Sequence, residues 1–181
     1  MVIIMRVISG KYKGKNLLGF DIDGTRPTMD RVKESMFASI QNYVKDSIVL
    51  DLFAGSGSLG IEALSMGAKE CIFVDHNKIV YDILSKNTKD IDGSRIIKSD
   101  YKDALIKLRD ENKKFDLILL DPPYALNLIN DCLDKIYEYK LLSNNGIIVC
   151  EYETELVNTD LFELMKEKKY SSKYVRIYKN K

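Results

Sequence analysis

Residues 49–62, VLDLFAGSGSLGIE, decide the fold of this chain. They begin as an apolar strand, pass through a loop that contains Gly55, Gly57 and Gly60, and continue as a helix towards Met66. A strand that leads into a glycine-rich turn and then a helix is how an α/β sheet holds a nucleotide-like ligand. Glycines lack Cβ atoms, so the backbone can adopt positive φ and approach the ligand closely.

Asp51, at the end of this strand, distinguishes the loop from a dinucleotide-binding loop. A dinucleotide loop cradles a pyrophosphate, which a carboxylate would repel. Asp51 therefore favours a ligand that carries positive charge.

The chain from Ser47 onwards alternates between predicted strands and helices. The predicted strands are 47–52, 70–75, 95–98, 115–120 and 145–151, and the predicted helices are 59–66, 77–89, 101–111 and 127–140. This alternation indicates a mostly parallel sheet with helices on both faces. Ligands of such sheets bind beyond the carboxyl ends of the strands. The acids Asp51, Asp75, Asp100 and Asp121 all fall at or just after such ends.

The two ends of the chain are predicted to add smaller elements. Two short strands are expected at 3–8 and 15–20, followed by a helix that Thr28 caps and that ends near Tyr43. After Glu151 we expect a short helix and two strands, near 167–170 and 173–179. We divide the chain into an N-terminal hairpin and helix extension, 1–45, and a main domain, 46–181.

A second motif, Asp121-Pro122-Pro123-Tyr124, follows the predicted strand 115–120. With the glycine loop, it resembles class I S-adenosylmethionine (SAM) methyltransferases that modify exocyclic amino groups. Three runs narrow the resemblance to the RsmD family: residues 6–10 (RVISG), 25–34 (TRPTMDRVKE) and 51–62. The match extends from Arg6 to about Tyr178.

The RsmD family methylates N2 of a guanine in small-subunit (16S) ribosomal RNA. The resemblance implies a class I methyltransferase Rossmann-like fold: a seven-stranded, mostly parallel sheet with helices on both faces and a closing antiparallel pair. It also implies SAM as the cofactor and rRNA, or the assembled small ribosomal subunit, as the partner. The family often has Phe at the fourth motif position, where Tyr124 stands.

SAM has a cationic sulfonium and an α-ammonium group, which suit Asp51. Asp75 could accept hydrogen bonds from both ribose hydroxyls, or cap the following helix. Asp100 could meet the adenine amino group, with Tyr101 beside the ring, or cap its own helix. His76 has no catalytic role. The predicted cofactor-binding residues are Asp51, Phe53, Ala54, Gly55, Ser56, Gly57, Asp75, His76, Asp100 and Tyr101.

The predicted catalytic residues are Asp121, Pro122, Pro123 and Tyr124. A guanine amine is a poor nucleophile because its lone pair is delocalised into the ring. It becomes more reactive if both N–H groups donate to fixed acceptors, here the Asp121 side chain and the Pro122 carbonyl, which the prolines hold in place. Tyr124 could stack on a base flipped out of its helix. Either Asp121 or solvent could take the proton, and no metal is needed.

The net charge of +1 conceals an uneven distribution. Residues 1–45 contain eight Lys/Arg and four Asp/Glu, and residues 166–181 contain seven and one, around an acidic middle. Cationic ends suit RNA, although solvated lysines are the alternative. Arg26 and Arg31 could hold RNA phosphates or the SAM carboxylate. The predicted substrate-binding residues are Arg6, Lys11, Lys13, Lys15, Arg26, Thr28 and Arg31.

Composition limits the remaining possibilities. No apolar run approaches the ~20 residues that span a bilayer, and the first residues do not form a signal-peptide core. Cys71, Cys132 and Cys150 are scattered, so we expect reduced, buried thiols. We therefore expect a cytoplasmic protein that does not bind membranes. We also expect a monomer.

Three other functions share some of these features. A DNA adenine-N6 or protein-glutamine methyltransferase would use the same acceptor geometry, but residues 6–34 match the rRNA family. A non-catalytic RNA-binding module would not need both motifs intact. A nucleotide-dependent oxidoreductase is disfavoured by Asp51 and the Pro-Pro motif.

Overall fold

The computed structural model describes residues 4–19, 30–123, 128–153, 159–170 and 172–181. Its strands are β1 (Ile4–Arg6), β2 (Asn16–Leu18), β3 (Ile48–Asp51), β4 (Glu70–Asp75), β5 (Ser94–Lys98), β6 (Phe115–Leu120), β7 (Leu142–Tyr152), β8 (Phe162–Tyr170) and β9 (Lys173–Asn180). Its helices are α1 (Asp30–Ile40), α2 (Ser58–Ser65), α3 (Lys78–Thr88), α4 (Tyr101–Asp110) and α5 (Ile129–Glu138), and a 3₁₀ turn, Gln41–Tyr43, follows α1.

Seven strands form one sheet in the order β5-β4-β3-β6-β7-β9-β8. The first five run parallel, whereas β9 is antiparallel to both β7 and β8. The expected fold, a seven-stranded and mostly parallel sheet, is confirmed, and so is its closing antiparallel pair. The strand order reverses at β3, between β4 and β6. A ligand is therefore expected at the edge formed by the carboxyl ends of these strands, which we call the carboxyl edge.

Alternating side chains of the strands build a separate core on each face of the sheet. In β3, Leu50 packs in the first core with α4 and α5, whereas Val49 packs in the second core with α1, α2 and α3. The second core also contains Val7 and Leu17 from the N-terminal hairpin. The hairpin and α1 thus cover the same face of the sheet as the helix that follows the glycine loop.

Most predicted elements are present with shifted ends. The hairpin strands are shorter than predicted, β7 is longer, and β8 begins at Phe162 instead of near 167. A short helix was expected after Glu151. Residues 154–158 lie outside the described residues, and the described residues between Glu151 and β8 are not helical. The three cysteines are buried and free, as predicted. Within the described ranges, none of the helices combines the length and apolar character needed to cross a bilayer.

Candidate active site

Asp51 is buried at the end of β3, and its carboxylate holds the far end of the glycine loop. Its Oδ2 accepts a hydrogen bond from the Gly60 backbone N–H at 2.9 Å. Burial, with a smaller contribution from the nearby Asp75 charge, raises the pKa of Asp51 from 3.8 to about 7, although the Gly60 bond lowers it. A carboxylate held in this way is stabilised by a cation that binds beside it.

Asp75, at the end of β4, holds the near end of the same loop. Its Oδ2 accepts from the Gly55 N–H at 3.1 Å and its Oδ1 from the Asn77 N–H at 3.0 Å. The cap of α3 is Asn77, whose side chain accepts from the N–H groups of Ile79 and Val80. Asp75 therefore does not cap this helix, and it stays half-buried at the carboxyl edge.

The loop between these two carboxylates has the backbone that the glycines were expected to allow. Gly55 and Gly57 have φ values of 54° and 83°. The Ala54 N–H donates to the Val74 carbonyl at 2.9 Å, so the loop is anchored to β4. The Ser56 carbonyl accepts from the α3 side chain of Asn87 at 2.8 Å. Hydrogen bonds from β4 and α3 thus anchor the loop on two sides.

Two aromatic rings lie beside the loop. The half-buried Phe53 ring is 5.6 Å from the Tyr101 ring, at an angle of 43°. The Tyr101 hydroxyl donates to Asp131 Oδ2 at 2.7 Å, which fixes the ring. Asp100 is exposed and caps α4, because its Oδ1 accepts from the Lys102 N–H at 2.9 Å. His76, also in the predicted set, is exposed.

Four acids lie in a row at the carboxyl edge, all at positions that face the second core. Asp75, Asp51, Asp121 and Glu151 belong to the adjacent strands β4, β3, β6 and β7 or directly follow them. The strand registers pair position 51 with positions 73 and 119, so the other acids lie about two residues further along. The sequence predicted a cluster of Asp51, Asp75, Asp100 and Asp121. The register places the first, second and fourth in this row, whereas Asp100, after β5, is exposed and caps α4.

Glu151 was not predicted as a site residue. It is buried and forms an ion pair with Lys173 of β9, with 2.5 Å between Oε1 and Nζ. The sequence did contain a signal for it, since Glu151 ends the predicted strand 145–151 as Asp75 ends the predicted strand 70–75.

The motif of the predicted catalytic residues directly follows β6. Asp121 and Pro123 are half-buried and Pro122 is buried, so this turn is packed against the body of the protein. Tyr124 lies outside the described residues.

The predicted RNA-contacting residues are dispersed. The turn of the N-terminal hairpin docks on Ser65, the last residue of α2, because the Lys11 N–H donates to the Ser65 carbonyl at 2.7 Å. Lys11 Nζ contacts Asp92 at 2.7 Å, and this pair raises the pKa of Lys11. Since α2 runs antiparallel to the strands, Ser65 lies at the amino edge of the sheet. The structure therefore does not bring Lys11 together with Asp121.

The other predicted contacts differ in position. Lys13 is exposed and Lys15 is half-buried in the same hairpin. Arg6 contacts Asp30 at 3.0 Å on the surface, and Arg31 is exposed in the first turn of α1. Arg26 and Thr28 lie outside the described residues.

A buried ion pair connects the N-terminal extension to the glycine-loop helix. Lys33 Nζ of α1 lies 3.1 Å from Glu62 Oε2 of α2, and both side chains are 1% exposed. Glu62 also accepts the N–H groups of Ile8 and Ser9, and Lys33 donates to the Ser58 hydroxyl. Sequence reasoning missed this pair. The sequence did give an indication of it, because Lys33 lies among the apolar residues that recur at helical spacing along the helix predicted after Thr28.

Known proteins resemble this chain along almost its whole length. A family model described as conserved hypothetical protein 95 matches residues 5–179. YlbH of Bacillus subtilis (strain 168), provisionally named an rRNA methyltransferase, is 41% identical over 98% of this chain and 100% of its own length. Ribosomal RNA small subunit methyltransferase D of Haemophilus influenzae is 36% identical over 97% of this chain and 94% of its own length.

A solved structure agrees with these relatives. Escherichia coli yhhF, provisionally described as a methyltransferase, matches with a TM-score of 0.84 and 26% identity over 98% of each chain. The chain therefore belongs to the conserved hypothetical protein 95 family, which is the RsmD family that its motifs resemble, and it is a methyltransferase.

Proposed function

We propose that this methyltransferase transfers the methyl group of SAM to the exocyclic N2 of a guanine in small-subunit ribosomal RNA. The observation that carries the proposal is the row of Asp75, Asp51 and Asp121 on adjacent strand ends, with the glycine loop hydrogen-bonded to the first two. Family membership supports the substrate, since the Haemophilus influenzae relative is named for the small-subunit RNA.

The donor set fits SAM. When bound, SAM supplies an electrophilic methyl group on a cationic sulfonium. Asp51, buried with a pKa near 7, gains a favourable partner when a cationic group approaches it. Asp75 is half-buried at the same edge, where its oxygens could also accept hydrogen bonds from ribose hydroxyls. Phe53 and Tyr101 offer apolar surface for the adenine ring.

The acceptor half of the site belongs to residues 121–123. Asp121 presents a carboxylate and Pro122 a carbonyl, and both can accept an N–H from the guanine amine. Holding both N–H groups localises the nitrogen lone pair, so that the nitrogen can attack the methyl carbon in line. Two prolines restrict the backbone, so the acceptors are oriented before the substrate arrives. The amine proton then leaves to Asp121 or to water.

A guanine within a helix cannot reach Asp121, so the proposal includes base flipping. Unstacking one base costs a few kcal/mol. RNA contacts outside the catalytic turn would have to offset that cost.

The deciding experiment uses radioactive SAM and small-subunit particles from a strain that lacks this gene. Naked rRNA is tested in parallel, and the nucleosides are identified by mass spectrometry. Label in N2-methylguanosine supports the proposal. Label in N6-methyladenosine, in DNA or in protein would keep the SAM site and overturn the substrate. Absence of label from every acceptor would overturn the proposed reaction. An Asp121→Ala variant serves as the matched control for methyl transfer.

A further inference from the structure

The contact between α1 and β8 is a surface to which no role has been assigned so far. It has one cation and two serines on α1, and two lysines and a tyrosine on β8. We call it the α1–β8 seam; its residues are Arg31, Ser35, Ser39, Lys166, Lys168 and Tyr170.

The two lysines of the seam contact hydroxyl groups instead of carboxylates. Lys168 Nζ donates to Ser35 Oγ at 3.1 Å, and Lys166 Nζ donates to Ser39 Oγ at 3.1 Å. Ser35 Oγ is also 2.7 Å from the Tyr170 hydroxyl. A hydroxyl orients an ammonium group without neutralising it, and an ammonium has three donors. Each lysine therefore keeps its charge and donors for a further partner.

Neighbouring cations of the same region differ in this respect. Arg176 pairs with Glu167 on the other face of β8 and β9, and Lys179 pairs with Glu163 on the same face as the seam, nearer the amino edge. In the part of the chain that the structure describes, Arg31, Lys166 and Lys168 have no carboxylate within 4 Å. All three are exposed. Among the described residues, the seam thus presents three exposed cations that form no ion pair.

The seam continues the row of strand ends. Position 170 pairs with Lys173, whose ammonium contacts Glu151, the last acid of the row. Arg31 lies one helical turn from Ser35, towards the carboxyl edge. From Arg31 to Ser39 the helix rises about 12 Å, at 1.5 Å per residue. The carboxyl edge therefore changes from acidic, where a cationic cofactor would bind, to basic, where a polyanion would bind.

We propose that the α1–β8 seam binds the phosphate backbone of the RNA substrate and leads it to Asp121. The inference rests on the proposed function, because it takes RNA as the substrate. It moves the main RNA contact away from Lys11, which lies at the opposite edge and is already paired with Asp92. Phosphates bind lysine and arginine without regard to base sequence, so the seam contributes affinity and orientation but no choice of base.

The two lysines of β8 could also have a purely structural role. β8 is an edge strand, and charged side chains on an edge discourage pairing with another copy. That explanation predicts no loss of RNA affinity when the two lysines are neutralised, so a binding experiment separates the two roles.

The test compares Lys166→Gln/Lys168→Gln with the matched control Lys107→Gln/Lys114→Gln, two exposed lysines away from the seam. The probe is a fluorescent 20-nucleotide single-stranded RNA, titrated between 0.05 and 0.4 M KCl. The slope of log K against log salt, where K is the RNA association constant, is negative. Each lost phosphate contact makes it shallower by about 0.7. We expect the slope of the seam variant to be shallower than that of the wild type by about 1.4, and the slope of the control to match the wild type. If the lines converge at 1 M salt, affinity at 0.1 M falls about 25-fold.

Methyl transfer to small-subunit particles is measured with the same preparations. The expected result is a higher KM for particles with an unchanged kcat and an unchanged SAM affinity. Equal salt slopes for the seam variant and the wild type would overturn the inference, and so would an equal loss in the control. If the wild type labels RNA but the seam variant keeps its slope and KM, only the seam fails. If the wild type labels no RNA, the proposed function itself fails. If the double variant does not fold, Lys166→Gln and Lys168→Gln are measured separately. Each is expected to make the salt slope shallower by about 0.7.

Discussion

Replacing Asp51 by Asn tests the charge logic of the site with a minimal change in shape. The buried carboxylate accepts the Gly60 N–H at 2.9 Å, and its pKa is raised to about 7. The Asn amide oxygen can accept the same bond. The substitution therefore removes the charge that burial disfavours and keeps the packing of the loop.

The pKa predicts how stability depends on pH. Because the carboxyl pKa is about 7 in the folded protein and about 3.8 in the unfolded chain, the folded protein binds the extra proton between these values. The resulting stabilisation is fully present below about pH 4 and is lost as the pH rises through 7. The pKa is raised by about three units, and each unit corresponds to about 1.36 kcal/mol. At pH 8.5 the ionised Asp51 therefore lowers the free energy of unfolding by on the order of 4 kcal/mol. Asn does not titrate, so it escapes this cost.

We therefore expect Asp51→Asn to melt above the wild type at pH 8.5, by at most about 8–16 °C, and close to it at pH 4. The same variant should bind SAM about 10- to 150-fold more weakly at pH 8.5, because it loses a charge-assisted contact of about 1.5–3 kcal/mol. SAM affinity of the wild type should rise as the pH increases through 7.

The assay is thermal melting of the wild type and the variant at pH 4 and 8.5, with SAM titrated by calorimetry at pH 6 and 8.5. Asp90→Asn, the same change at an exposed position, is the control and should melt like the wild type. A lower melting temperature for Asp51→Asn at pH 8.5, or a difference that does not change with pH, would refute the buried-charge argument. Unchanged SAM affinity would refute the assignment of Asp51 to the cation.

Three further substitutions test separate parts of the structure. Asp121→Ala should slow single-turnover methyl transfer by about 10²–10³-fold, because one fixed acceptor is lost, while SAM affinity from calorimetry stays within about twofold. Lys33→Met should lower the free energy of unfolding in urea by about 3–5 kcal/mol, because Glu62 stays buried without its cation. Gly60→Ala should lower it by about 1–3 kcal/mol and weaken SAM binding, because its Cβ would lie 2.3 Å from Phe73 Cε1.

Each of these results could fail in an informative way. Loss of SAM affinity in Asp121→Ala would mean that Asp121 belongs to the cofactor half of the site. A wild-type urea midpoint for Lys33→Met would show that the buried pair gives no net stability. Wild-type stability and SAM affinity for Gly60→Ala would show that the Phe73 ring moves aside at no cost.

The prediction from sequence worked best where the signal was local. The strand that ends at Asp51, the glycine loop and the helix after it are contiguous, so hydrophobic periodicity and turn chemistry were enough to predict them. Asp75 and Asp121 also followed, because the carboxyl ends of parallel strands share one edge. The cap of α3 was not predicted, because the sequence analysis offered Asp75 for it, whereas Asn77 caps the helix and Asp75 holds the loop.

The sequence by itself determined the strands and helices of the parallel sheet, the glycine loop and the position of the Pro-Pro motif after β6, because each depends on residues adjacent along the chain. Only the tertiary structure decided how distant segments meet. It docked the hairpin turn on Ser65, so that Lys11 lies away from Asp121. It also brought Lys168 to Ser35, 133 positions earlier. No local pattern encodes such contacts, since they depend on which helix covers which strand once the two cores have packed.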